Sequence, residues 1–428
     1  MGDAAEVGTR VRDATSRGVL VRGLGRSYGD CAQNAGGVVL DAPWRSGLLE
    51  VDLDRFRVTA RAGTSLDQLM RWLVPLGMFV PVTPGTRMVT VGGAIAADVH
   101  GKNHHRHGSW CDHVESLRLV DGRGEVRELS AGSDAEAFWA TAGGMGLTGA
   151  ILDATIRMKP ITSSRLVVDT DRAADLDEVM QLMVEGDDRY DYSVAWIDLL
   201  ATGRRMGRSV LQRGRFATEA EARAGGISDP LAFRTTQLPS PPDLVPDALL
   251  NRLTIKAFNE LWFRKAPACR RDELQTIEAF FHPLDMIAEW NRIYGRRGFL
   301  QWQFAVPDDG AEVVRTSVEQ LSSRGISSFL AVLKRLGPAN AGYLSFPRRG
   351  WTLALDIPVT TGLERLLDEL DELVAAAGGC VYLAKDSRVR PELVADMYPA
   401  LDDWREVREK LDPDRRFRSD MSRRLGLC

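Results

Sequence analysis

From residue 19 to about residue 160 the chain alternates short apolar runs with glycine turns, at 19–21, 38–40, 57–60, 89–91, 116–120 and 150–158. Runs of that length, bounded by turn residues, predict the strands of a mixed sheet rich in loops. Two helices are predicted among them, over 65–76 and 133–141, the second opened by a Ser133-x-x-Glu136 capping box.

Beyond Pro160 the segments lengthen and the alternation sharpens. In GFLQWQFAV, Leu300, Trp302, Phe304 and Val306 share one face of a strand and Gln301 and Gln303 the other; in WTLALDI, Trp351, Leu353, Leu355 and Ile357 oppose Thr352, Ala354 and Asp356. The apolar face is core. The polar face fits a binding floor and equally a solvated surface. Leucines at helical spacing predict a structural helix over 363–374, stopped by Gly378 and Gly379. Five prolines and weak periodicity over 217–250 predict a long loop, either a mobile lid or a disordered insertion.

With 428 residues, 44% of them hydrophobic, the chain has material for a large core divided between two domains. A net charge of −4 with scattered basic residues argues against nucleic acid as a bulk partner. Cys31, Cys111, Cys269, Cys380 and Cys428 form no CxxC pair, so they read as reduced thiols. The N-terminal residues lack the apolar core of a signal peptide, and no apolar stretch is long enough to span a bilayer. A cytoplasmic protein is expected, with peripheral membrane contact left open.

Candidate chemistry gathers in glycine-rich strings. RGLGRSYGDCAQNAGG, residues 22–37, holds five glycines directly after an apolar run, in a spacing that matches neither the dinucleotide fingerprint nor the Walker A loop. Bare backbone there serves a sharp turn, a bound ligand or both. In PVTPGTRMVTVGGAIAADVHGKNHHRHGSW, residues 81–110, a strip of tiny side chains leads into a cluster holding His100, Lys102, His104, His105, Arg106 and His107. No helix-borne His-x-x-x-His with an acid and no Cys/His zinc pattern is present, so no metal is expected. A solvated basic loop explains the charges alone. A site for a flat, anionic cofactor explains the charges and the small residues together. GGMGLTGAI at 143–151 repeats the theme, and YLAKDSR at 382–388 sets Lys385 at the end of an apolar strand, where an ammonium can orient an oxyanion or act as acid or base.

These strings together resemble the FAD-binding family named after vanillyl-alcohol oxidase. Within it, RGLGRSYGD, VGGAIAADVHGKNHH, HPLDMIAEWNR, GFLQWQF, LSFP and AKDSR are similar to the subgroup of decaprenylphosphoryl-ribose 2-oxidases, over about residues 18–425. The resemblance implies an α+β, two-domain flavoprotein: an FAD-binding domain over 1–160, a substrate domain with an antiparallel sheet over 161–379, and a segment over 380–428 that returns to the first domain. It implies that Arg22, Gly23, Leu24, Gly25, Arg26, Ser27, Tyr28, Gly29 and Asp30 wrap the FAD diphosphate. Gly85, Thr90, Val91, Gly92, Gly93, Ala97, Asp98, Val99, His100, Ile151 and Tyr382 are implied as flavin neighbours. Tyr28, His100 and Lys385 are implied as catalytic, and Lys102, Gln303, Lys334, Thr352 and Ala354 as substrate-binding. Arg26 stands where covalently flavinylated relatives carry histidine, so the FAD is expected to be noncovalent. The subgroup's usual cysteine on the 351–357 strand is Ala354 here, and its neighbouring asparagine is Thr352. The implied reaction is oxidation of the ribose 2′-hydroxyl of a polyprenyl-phosphate sugar to a ketone, followed by a separate NADH-dependent keto-reductase, the two halves of an epimerisation that yields an arabinose donor for the cell wall. An alternative is an FAD-dependent oxidase of another polyprenyl-phosphate sugar or a soluble glycoside.

Overall fold

A computed structural model describes residues 4–42, 45–235, 238–240, 252–295, 298–328 and 330–428. A helix, Ala4–Arg12, seats Val7 and Val11 in a small core with Val19, Val120, Ala150 and Phe417. The strand Val19–Arg22 then pairs in parallel with Val38–Asp41. A five-stranded antiparallel sheet follows in the order Leu48–Asp52, Arg57–Arg61, Ala150–Arg157, Val114–Val120, Val126–Leu129.

The second sheet has eight strands, all paired antiparallel: Cys269–Thr276, Arg165–Ala173, Ser209–Phe216, Tyr192–Ile197, Ala331–Leu336, Gly350–Pro358, Phe299–Pro307 and Cys380–Val381. Trp302, Phe304, Val306, Trp351, Leu353, Leu355 and Ile357 are buried as the alternation requires. The helices Leu176–Gly186, Ala311–Ser323 and Leu363–Ala376 pack on this sheet. Gln301, Gln303, Thr352 and Asp356 are also buried, so the polar face is not a solvated one.

Several local expectations are corrected. Residues 89–91 form no strand: Thr90 caps the helix Val91–Ala96, its Oγ1 accepting from the Gly93 amide at 3.1 Å. The 65–76 helix is α-helical over Leu66–Leu73 and tightens to a 3-10 turn over Val74–Leu76, where Pro75 cannot donate to the helical ladder. Asp134, not Ser133, caps Ala135–Thr141, because the Ser133 hydroxyl is engaged with Ser130 Oγ at 2.9 Å. Part of the 217–250 loop is the helix Glu219–Ala224, closed by a reciprocal Thr218–Glu221 capping box; residues 236–237 and 241–250 of that segment lie outside the described residues. Lys385 sits in a turn beyond the short strand Cys380–Val381, rather than on a strand.

The chain end returns to its beginning. Phe417 bridges Val19, and Trp404 of the helix Leu401–Leu411 donates its indole N–H to the Ala140 carbonyl at 3.0 Å.

Candidate active site

The first glycine loop leaves the strand Val19–Arg22 and is clamped between two other segments. A Cβ on Gly23 would lie 2.5 Å from Thr90 Oγ1, and one on Gly29 would lie 1.7 Å from the Asp386 carbonyl oxygen. Only glycine permits backbone approach that close. The Tyr28 amide donates to the Ala384 carbonyl at 3.2 Å. Arg424 completes the clamp, donating to both oxygens of Asp30 at 2.8 and 2.9 Å and to Asp386 at 2.8 Å.

The loop forms one wall of a cleft of about 520 Å³, within the range of cofactor sites. Arg22 through Tyr28 line that wall, and Gly85, Thr90, Gly92, Gly93, Ala97, Val99, Ile151, Tyr382 and Lys385 also line the cleft. Gly29, Asp30, Val91 and Asp98 stand behind the lining. Val91 is in the core, and the buried Asp98 carboxylate accepts from the Cys111 amide at 2.9 Å and from Asn340 at 2.8 Å. Leu284, Asp285, Trp290 and Phe299, to which sequence reasoning gave no role, and Gln301, which it set on the polar face, line the cleft from the second half of the chain. The signal was available in HPLDMIAEWNR for the first three and in GFLQWQF for Phe299 and Gln301.

The lining suits a large flat group. A Cβ at Gly85 or Gly146 would meet no atom within 4 Å, so both positions open into the cleft. The Tyr382 ring stacks on Phe346 at 4.6 Å between centroids while its hydroxyl donates to the Ala97 carbonyl at 2.8 Å.

Beside the cleft lies a buried polar floor. Gln303 Nε2 donates to His100 Nε2 at 2.9 Å and to Thr352 Oγ1 at 3.0 Å, and the Thr352 hydroxyl donates to the Phe304 carbonyl at 2.8 Å. Accepting at Nε2 puts the His100 proton on Nδ1, an atom with no partner among the described residues. Burial, then the neighbouring cations led by Lys334, hold His100 well below the ordinary histidine range, so the ring is neutral. Register sets Ala354 opposite Gln303 and Lys334 opposite Thr352.

Three lysines face this region. Burial and the charge of Lys334 push Lys102 down to about 7; its ammonium donates to the Phe280 carbonyl and lies 4.4 Å over the Phe280 ring. Burial and the charge of Lys385 push Lys334 down to about 7. Lys385 falls to about 8, lowered by burial and partly restored by the Asp356 carboxylate. Asp356 is itself raised to about 6 by burial; one oxygen accepts from Gln301 Nε2 and Oδ2 has no hydrogen-bond partner among the described residues. An amine depressed by burial beside open carboxylate and imidazole atoms can take a proton from an alcohol and hold an anion nearby.

Comparison with known proteins agrees with this geometry. Residues 1–130 match the FAD binding domain model and residues 311–425 the D-arabinono-1,4-lactone oxidase model. The chain is 46% identical to decaprenylphosphoryl-beta-D-ribose oxidase of Mycolicibacterium smegmatis over 98% of its own length and 91% of the relative's. It is 43% identical to an uncharacterized protein in the mprA 5′ region of Streptomyces coelicolor, over 85% of this chain and 100% of the other. It is 23% identical to L-gulono-1,4-lactone dehydrogenase of Mycobacterium tuberculosis, over 98% of this chain and 94% of the other.

Proposed function

We infer the activity from one premise: this chain belongs to the family of decaprenylphosphoryl-β-D-ribose oxidases, which it matches at 46% identity along 98% of its length. It is an FAD-dependent oxidoreductase acting on a CH–OH group, and its substrate is the ribose of a polyprenyl-phosphate sugar. The 2′-hydroxyl is the position oxidised, giving a 2′-ketone. The near full-length identity carries this reading.

FAD, when bound, supplies the hydride acceptor. Arg22 through Tyr28 and the Gly85–Val99 side of the cleft hold it, without a covalent bond, since Arg26 offers no imidazole. Lys385, as the neutral amine, takes the hydroxyl proton. His100 presents Nδ1–H to a substrate oxygen, kept in that tautomer by Gln303. Tyr28 stays a neutral phenol, because burial and the charge of Asp356 raise its pKa, and it donates rather than abstracts. Lys334 and Lys102 offer N–H donors to the phosphate oxygens, a role they keep as neutral amines. Thr352 and Ala354 shape the wall against the sugar.

A ketone is the starting point for reduction from the opposite face, so the product suits a hydride-donating keto-reductase as the partner enzyme. A lipid-linked substrate also suits attachment at the periphery of a membrane; among the described residues no helix is long and apolar enough to cross one.

The test is anaerobic mixing of the purified protein with farnesylphosphoryl-ribose. Bleaching of the flavin with formation of a keto sugar is expected. Flavin that stays oxidised with this substrate but bleaches with another polyprenyl-phosphate sugar would move the assignment to the latter.

A further inference from the structure

The helix Arg252–Lys265 is apolar on two sides. Its inner side is accounted for: Ile255 and Asn259 are buried, Asn259 donating to Asp198 Oδ1 at 2.7 Å, while Arg208 lies 4.6 Å over the Phe263 ring. Its outer side leaves Leu253 78%, Leu261 67% and Trp262 44% exposed, more apolar surface than any other helix of the described residues presents. Leu253, Ala257 and Leu261 follow one another at i, i+4 and i+8, and the Phe258 and Trp262 rings stack beside them at 6.0 Å.

The charged residues between are mostly cationic: Arg252, Lys256, Arg264 and Lys265 against the single acid Glu260. Glu260 is committed to Arg208 at 2.7 Å and to Arg264 at 2.5 Å. Arg205 stands beside Lys256 and Arg264 on the same surface. This basic face belongs to a chain whose net charge is −4. A helix with Trp and Leu on one side and Lys and Arg along its flanks fits the boundary between headgroups and acyl chains of an anionic bilayer.

Its place in the fold agrees. The Arg252 guanidinium carbon lies 3.0 Å from where a Gly325 Cβ would stand, and Leu330, five positions further along the sequence, lines the cleft. Ile287, which lines the cleft, is 38% exposed and is joined by a backbone bridge to Leu238, 55% exposed.

We propose that the 252–265 helix docks the protein on anionic lipid, with Leu253, Leu261 and Trp262 among the acyl chains and Lys256, Arg264 and Lys265 at the headgroups, so that the cleft mouth faces the bilayer that holds the substrate's polyprenyl tail. This rests on the lipid-linked substrate proposed above. The test uses the full-length holoprotein and sedimentation with phosphatidylcholine vesicles, with and without phosphatidylglycerol. Binding to the anionic vesicles alone is expected, weakened by salt and at least about tenfold weaker for Leu261→Glu/Trp262→Glu. Turnover of water-soluble farnesylphosphoryl-ribose should be equal in both proteins, which shows that the variant folds. Vesicle binding equal in wild type and variant overturns the proposal. So does a dimer in solution that the double substitution dissociates, since it assigns the face to a second copy of this chain. Vesicle binding as expected, with no turnover of the short substrate by either protein, would overturn the substrate reading and leave the docking helix in place.

Discussion

The Lys385 ammonium lies 4.7 Å from the centre of the Tyr28 ring. A cation over an aromatic face is a favourable contact, and here it joins the first glycine loop to the last strand-end of the cleft. If the lysine is the base, Lys385→Ala should retain FAD and lose at least about a hundredfold in turnover, the usual minimum for a positioned general base. Stopped-flow reduction of the flavin measures it. A loss under about tenfold would transfer the role to another group.

The base acts only when unprotonated, and Lys385 sits at about 8, so kcat/KM should rise with pH and level off above that value. The Asp356 carboxylate favours the charged amine and therefore raises the Lys385 value. Asp356→Asn removes that charge, and the rising limb of the profile should move to lower pH. An unmoved limb with lowered turnover would make Asp356 a packing residue.

Flavin attachment has a direct readout. Acid precipitation of the holoprotein should leave intact FAD in the supernatant and a colourless pellet. Fluorescence retained by the denatured chain would mean a covalent bond formed elsewhere than at Arg26.

Ala354 faces Gln303 across the sheet and is partly accessible. Ala354→Cys should therefore introduce a thiol that small alkylating reagents reach, and a bound polyprenyl-phosphate analogue should slow the reaction. Intact mass follows the adduct. Cys31 and Cys380 are buried and raised to about 11, so they remain thiols; the exposed Cys269 reacts in wild type and variant alike, and the readout is the extra adduct that the variant gains. Alkylation unaffected by the analogue would place Ala354 away from the sugar.

The strands Phe299–Pro307 and Gly350–Pro358 were legible because a two-residue period writes the buried face directly into the sequence. Val91–Ala96 was not, since glycine and alanine carry no hydrophobic periodicity; the one clue was Thr90, whose cap geometry appears only in three dimensions. The polar floor was half legible. Alternation set Gln303 and Thr352 on one face, but nothing local pairs Gln303 with His100, 203 residues away. The same holds for Lys102, Lys334 and Lys385, which lie on three separate segments; Lys334 lowers Lys102, and Lys385 lowers Lys334, only once the fold has brought them together. Asp356 was on the predicted face without a role, because its partner Gln301 is set by strand register.

The bidentate contact between Asp30 and Arg424 spans 394 residues of chain. During synthesis the first glycine loop emerges long before the arginine that clamps it, and before Asp386, whose backbone it lies against. A nascent chain thus has the loop but not its latch. Cofactor capture then waits for Arg424, and a chain stopped before that residue should purify without colour.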